Sequence, residues 1–250
     1  MLLKEIIQKL EAFAPPSLAE SWDNVGLMLG HPMWDIQKCY VALDITDAVI
    51  DFAIGNGCQL IVTHHPFLMS GIKSLNLEDT KCRQIATLLE HNIAVYSMHT
   101  NFDSCQHGVN DRLCELLELQ DYHTDEPSIC RKGFYREPIT LREFISRVKD
   151  VLGVSFVNYT GDMNRQIQSV AIVGGSGGSM VAEMADCDVF LTGEAKYHEY
   201  QLAEAMNLCM VTAGHFETEA PALDTLRSLL KELSLEVATG ERYRGFYQTV

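Results

Sequence analysis

The strongest constraint on this chain is a steady alternation of short apolar strand-like runs with amphipathic helix-like ones. CYVALD (39–44), QLIVT (59–63) and NIAVYS (92–97) read as strands buried on both faces, because their apolar character is continuous rather than alternating. Helical spacing fills 47–56, which closes at Gly55-Asn56-Gly57, then 78–91 and 108–119. A polar, turn-rich passage over 120–138 interrupts the rhythm and predicts a junction between two lobes. Beyond it, Thr140 and Glu143 form a capping box for a helix carrying Leu141, Phe144, Ile145, Val148 and Leu152. Strands are expected at 154–159, 168–173, 188–192 and 208–212, with helices near 178–186, 195–207 and 217–233. Strands joined by helices imply parallel or mixed sheets with helices on their faces. The predicted class is therefore α/β, with two similar lobes of mixed sheet flanked by helices, 1–125 and 126–250, forming one interlinked unit.

Charge narrows the partners. With 19 basic and 34 acidic residues the formal net charge is −15, and no basic run breaks the acidic background. Nucleic acid and anionic membrane both demand the opposite sign, so neither is an expected partner. The N-terminal MLLKEIIQKLEAF places Leu3, Ile6, Ile7, Leu10 and Phe13 at helical spacing with charges between them, an amphipathic helix and not a signal peptide. No apolar run approaches the ~20 residues of a membrane span. Eight scattered cysteines, none in a C-x-x-C pair, suit reduced buried thiols, and a cytoplasmic protein is expected.

The residues that follow the strands carry the chemistry, since sites in open α/β sheets form at the carboxyl ends of strands. LIVT runs into His64 and His65; AVYS into His99 and Asp103; DVFLT into Glu194 and His198; CMVT into His215, Glu217 and Glu219. A single histidine at a strand end is commonly a hydrogen-bonded core residue, but four strand ends converging on one ligand chemistry favour a metal. His215 and Glu219, four apart, share a helix face if Gly214 starts a helix, whereas Glu217 points elsewhere. Imidazole with carboxylate and no thiolate suits Fe, Zn, Mn, Co or Ni. His64, His65, Asp103, His215 and Glu219 are too many ligands for one catalytic ion that keeps water, and suit two divalent ions. His31 and His91 lie near turns, His123 lies in the polar junction, and these three read as solvated; His107 is open to either reading. The run VGGSGGS (173–179) follows a strand and precedes a helix. It lacks both the P-loop lysine and the third glycine of a dinucleotide fingerprint, leaving a close-packed turn and an anion cradle both open for Gly174–Gly178.

Taken together, SWDNVGL (21–27), THHPF (63–67), HTNFD (99–103), IVGGSGG (172–178), LTGEAKYHE (191–199) and GHFETE (214–219) resemble the YbgI-like dinuclear metal-centre family, the type-two GTP cyclohydrolase I homologues and Ngg-interacting-factor-three-like proteins. The resemblance implies two related α/β lobes with the metal site between them. It implies His64, His65, Asp103, His215 and Glu219 as ligands of two divalent metal ions, and a toroidal homohexamer. Longer members carry an inserted domain, expected to be missing here at 120–138. His99, Glu194 and His198 match the family pattern and are expected to act around the metals as substrate-facing or catalytic groups. The function so implied is metal-dependent hydrolysis, through a metal-activated water, of a nucleotide-like or other small substrate. The alternative is a non-catalytic metal-binding, metal-delivery or interaction scaffold protein.

Overall fold

The computed structural model describes residues 1–122 and 128–240, so His123 lies outside the described residues. The chain divides into two compact units, Met1–Cys105 with the stretch from Leu223, and Gln106–Ala222. In chain order the first contains α1 (Leu3–Phe13), β1 (Gly26–Leu29), β2 (Lys38–Ala42), α2 (Asp47–Gly55), β3 (Leu60–Thr63), α3 (Thr80–Glu90), β4 (Ala94–Ser97) and α4 (Thr100–Ser104). The second contains α5 (Val109–Leu116), β5 (Arg131–Thr140), α6 (Leu141–Leu152), β6 (Asn158–Tyr159), β7 (Gln166–Val173), β8 (Val189–Thr192), α7 (Tyr197–Ala205), β9 (Cys209–Thr212) and α8 (His215–Glu219). The chain then returns to the first unit with α9 (Leu223–Glu232) and β10 (Glu236–Val237).

Each unit holds one five-stranded mixed sheet, ordered β1-β4-β3-β2-β10 in the first and β5-β7-β8-β9-β6 in the second. In the first, β4, β3, β2 and β10 are parallel and β1 is an antiparallel edge. In the second, β7, β8 and β9 are parallel and antiparallel strands close both edges. Two mixed sheets flanked by helices are thus the architecture expected from the rhythm of the sequence. In the second unit, alternate strand residues feed two cores. Val170, Ile172, Val189, Leu191, Cys209 and Val211 pack with Phe144 and Val148 of α6, while Ala171, Phe190 and Met210 pack with Val181, Met184 and Ala203. In the first, Tyr40, Ile61 and Val95 pack beneath Val49, Ile50 and Leu88.

Local chemistry sets the helix ends. Thr46 Oγ1 accepts the Val49 N–H at 3.1 Å, Asp79 Oδ1 accepts that of Cys82 at 3.0 Å, and Thr140 and Glu143 form the expected reciprocal box. Gly153 then ends α6 in the left-handed conformation, at φ 69°.

Several elements differ from expectation. The helix expected over 217–233 is broken into α8, a 3-10 turn at Ala220–Ala222 and α9, because Pro221 has no N–H to continue the ladder. The helix expected at 178–186 is a 3-10 helix, Gly178–Met184, and the strand expected at 154–159 narrows to β6. The polar passage contains β5, whose Arg131, Gly133 and Tyr135 are buried in alternation with less buried Lys132 and Phe134. Its charges hid that alternation: Arg131 is admitted to the interior by an ion pair with wholly buried Asp111. No helix among the described residues is long and apolar enough to cross a membrane. All eight cysteines are buried and unbridged.

Candidate metal-binding site

The backbone ladder does not stop at the end of β3. The N–H groups of His64 and His65 donate to the carbonyls of Ala42 and Leu43, at 3.2 and 2.9 Å, so both histidines ride on the parallel pairing with β2. Their rings then part. His64 turns toward the end of β4, where its Nδ1 donates to the Met98 carbonyl at 2.9 Å, and His65 turns toward the end of β2, where its Nδ1 donates to Asp44 at 2.8 Å. His99, at the start of α4, donates from Nδ1 to Asp23 at 2.9 Å. The three rings lie together, with centroids 5.1 Å apart for His64 and His65, 5.3 Å for His64 and His99, and 5.8 Å for His65 and His99. One ring nitrogen of each falls within 4.8 Å of the others.

The Nδ1 contacts decide what the other nitrogen can do. A backbone carbonyl only accepts, so His64 Nδ1 carries the proton and Nε2 of the neutral ring presents a lone pair. That nitrogen faces Asp103 Oδ1 at 3.6 Å, with His64 only 1% exposed. A lone pair and a carboxylate oxygen so placed suit a shared cation. Orientation of ligating imidazoles by carboxylates and carbonyls is the usual support of a metal site, and Asp44, Asp23 and the Met98 carbonyl occupy that position here. Asp103 is placed by the first turn of α4, its N–H donating to the His99 carbonyl at 3.0 Å.

Asp23 is the residue that spacing could not find. It lies far from His99 in sequence, yet its side chain is fully buried and also accepts the N–H of Thr100 at 3.0 Å and its hydroxyl at 2.5 Å. Burial pushes its carboxyl up, but the hydrogen bonds from His99 and Thr100, with the charge of His99, outweigh this and hold it well below the usual carboxylate range. The only signal was its presence in SWDNVGL. Asp44 gave a better one, as the polar residue ending CYVALD.

In the second unit the i, i+4 pair forms as expected: His215 Nε2 lies 3.1 Å from Glu219 Oε1 on α8. His215 Nδ1 lies 3.3 Å from Glu194 Oε2, which follows β8. Glycines make this arrangement possible. Gly214 enters α8 at φ +93°, and Gly175, at φ +63°, lies so close to Glu219 that a Cβ there would collide with its Oε1 and stand 3.2 Å from His215 Nε2. The four glycine amides of the run are already committed. Gly174 donates to Asn110 Oδ1, Gly175 to Thr218 Oγ1, Gly177 to Thr192 Oγ1 and Gly178 to the Glu194 carbonyl, at 2.7, 3.0, 3.0 and 3.2 Å. These bonds favour the close-packed turn over an anion cradle. His198, on the first turn of α7, is exposed, as are His31, His91 and His107.

A two-sheet α/β chain with histidine and carboxylate gathered at its parallel strand ends defines a class of protein able to hold a metal ion. Residues 1–242 match the family described as Duf34/NIF3 (NGG1p interacting factor 3). The chain belongs to that family. It is 36% identical over 241 residues to a Clostridium perfringens protein named GTP cyclohydrolase 1 type 2 homolog, covering 93% of this chain and 92% of that one. Among solved structures, reduced HcgD from Methanocaldococcus jannaschii is 32% identical with a TM-score of 0.83, over 95% of this chain and 96% of that one. Staphylococcus aureus protein SA1388 is 25% identical with a TM-score of 0.90, over 100% and 99%.

Proposed function

We propose that this protein is a dinuclear metal-dependent hydrolase. His64, His65 and Asp103 of the first unit and His215 and Glu219 of the second would hold two divalent ions among Fe, Zn, Mn, Co and Ni. The observation that carries the reading is the placement of His64: with Nδ1 donating to the Met98 carbonyl, its Nε2 is turned to the Asp103 carboxylate at 3.6 Å. When bound, such ions supply Lewis acidity, which lowers the pKa of water toward neutrality and polarises a substrate oxygen.

The protein's own groups have separable tasks in this reading. Asp44 and Asp23 hold the His65 and His99 rings and keep their Nδ1 protons in place. His99 lines the His64 and His65 pair and acts on the substrate or as a further ligand. Glu194 orients His215 through Nδ1 and, being half-exposed, can carry a proton to or from an incoming group at its carboxylate. His198, exposed one turn on, is a second proton carrier. The names of the relatives favour a nucleotide-like small substrate and a cyclohydrolase type of reaction, the hydrolytic opening of a ring. Family resemblance likewise supports a toroidal homohexamer.

Turnover by the metal-loaded protein of a panel of nucleotides, phosphoesters and small amides tests the proposal. Activity lost in His64→Ala is expected. A panel with no turnover by a protein of verified metal content would favour the metal-delivery or scaffold alternative.

A further inference from the structure

Lys81 stands where local rules disfavour a lysine. It is the second residue of α3, whose N-terminus is capped by Asp79. The first turn of a helix carries the positive end of its dipole, which repels a cation. The side chain is also half-buried, with Nζ 4.1 Å from the centroid of the Phe67 ring. Among the described residues the ammonium makes no ion pair and no hydrogen bond. The two carboxylates whose charges reach it are engaged: Asp44 accepts from His65 Nδ1 at 2.8 Å, and Asp79 accepts the Cys82 N–H at 3.0 Å. Burial brings the Lys81 ammonium below its ordinary pKa, and those two charges oppose the shift without cancelling it. The face of Phe67 replaces only part of the lost hydration. A cation held partly out of water without an anion is completed by an anion that arrives.

Its neighbours put Lys81 at the candidate metal site of the first unit. Phe67 follows His65 by two residues in THHPF, and Asp44 is the carboxylate that holds the His65 ring. Beside His99 stands Trp22, 60% exposed, whose indole meets that imidazole edge-on with ring centroids 6.0 Å apart. The cluster of His64, His65 and His99 is thus bordered by a cation near His65 and by an apolar plane near His99. Charge balance selects the anion. A polyanion would set several negative charges among Asp44 and Asp79 against one ammonium, whereas a single carboxylate matches it in a charge-assisted hydrogen bond.

From these contacts we infer that Lys81 is a specificity-determining residue: it binds the carboxylate of a small organic acid whose reacting group lies over the His64, His65 and His99 cluster and whose apolar part rests on Trp22. The inference rests on the metal-dependent hydrolase reading of that site and gives its substrate a carboxylate in place of a phosphate tail.

Calorimetric titration of the metal-loaded protein with N-benzoylglycine, its neutral amide N-benzoylglycinamide and phenyl phosphate tests it, with metal content assayed on every sample. The acid should bind at least about 10-fold more tightly than the amide. Lys81→Met keeps the apolar stem on Phe67. It should weaken binding of the acid about 10- to 100-fold, leave the amide unchanged and leave metal content unchanged. Lys81→Arg should keep most of the preference for the acid, and Trp22→Leu should weaken both benzoyl compounds at least about 5-fold. Equal affinity for acid and amide would overturn the inference, as would binding of the acid that survives Lys81→Met, which would put the carboxylate on the metal ions alone. Phenyl phosphate binding more tightly than the acid, or no binding of any probe by fully metallated protein, would overturn it as well. A protein that takes up no metal contradicts the metal reading, which the metal assay reports separately; the Lys81 inference then stands or falls on the same acid and amide pair with the stripped protein.

Discussion

Asp23 Oδ1 lies 2.9 Å from His99 Nδ1, so a buried carboxylate from the loop before β1 fixes the imidazole that follows β4. With the matching contact of Asp44 on His65, it makes the strand ends a preorganised set of nitrogens. Replacing either carboxylate with an amide leaves the shape and removes the charge. Asp44→Asn is expected to weaken metal binding roughly 10- to 100-fold with little change in fold, measured by competition with a chromophoric chelator. Affinity equal to that of the unmodified protein would show that Asp44 does not support the site.

Gly175 makes the complementary prediction in the second unit. Any side chain there meets the Glu219 carboxylate and must adopt a left-handed backbone. Gly175→Ala should cost about 1–2 kcal/mol of stability, and should reduce metal affinity by more than that strain accounts for, because Glu219 has to move. Chemical denaturation beside metal titration separates the two effects.

The buried ion pair between Arg131 and Asp111 belongs to the fold and not to the site. Asp111→Ala would leave a buried guanidinium uncompensated, at a cost of about 3–5 kcal/mol. The expected outcome is a large drop in the urea midpoint, read by circular dichroism.

Asp188 gives stability a pH dependence. Burial raises its carboxyl pKa, but the N–H groups of Gln168 and Ser169 and the Ser169 hydroxyl donate to it and bring the net value below normal. A group depressed in the folded state contributes stability above its unfolded pKa of about 3.9, and loses it as pH falls through the lower folded value. Asp188→Asn should therefore be less stable by on the order of 1 kcal/mol near neutral pH, with the gap closing at acid pH. A gap that stays constant from neutral to acid pH would contradict this.

The thiols should be silent. Burial raises Cys39 and Cys187 to about 12 and Cys130 to about 11, beyond the range in which thiolate forms near neutrality. Ellman's reagent should detect little thiol in the folded protein at pH 8 and all eight cysteines after denaturation.

Legibility followed the range of the interactions. The central strands and the capped α6 were plain because apolar runs and a capping box are local signals. The same holds for His215 and Glu219, whose spacing alone places them on one helix face. What stayed hidden depends on distant partners. Buried Arg131 makes sense only beside Asp111, and β10 joins β2 from the far end of the chain. The hold of Asp23 on His99 crosses most of the first unit's sequence. The role of the glycine run could be settled only by seeing where each amide donates.

The most direct test of the central claim is the metal stoichiometry of protein stripped by chelator, reconstituted with a single divalent metal and freed of excess. The account predicts about two ions per chain, falling in His64→Ala and in His215→Ala while circular dichroism stays unchanged. A well-folded protein that retains less than about one ion per chain, or variants that retain as much as the unmodified protein, would contradict it.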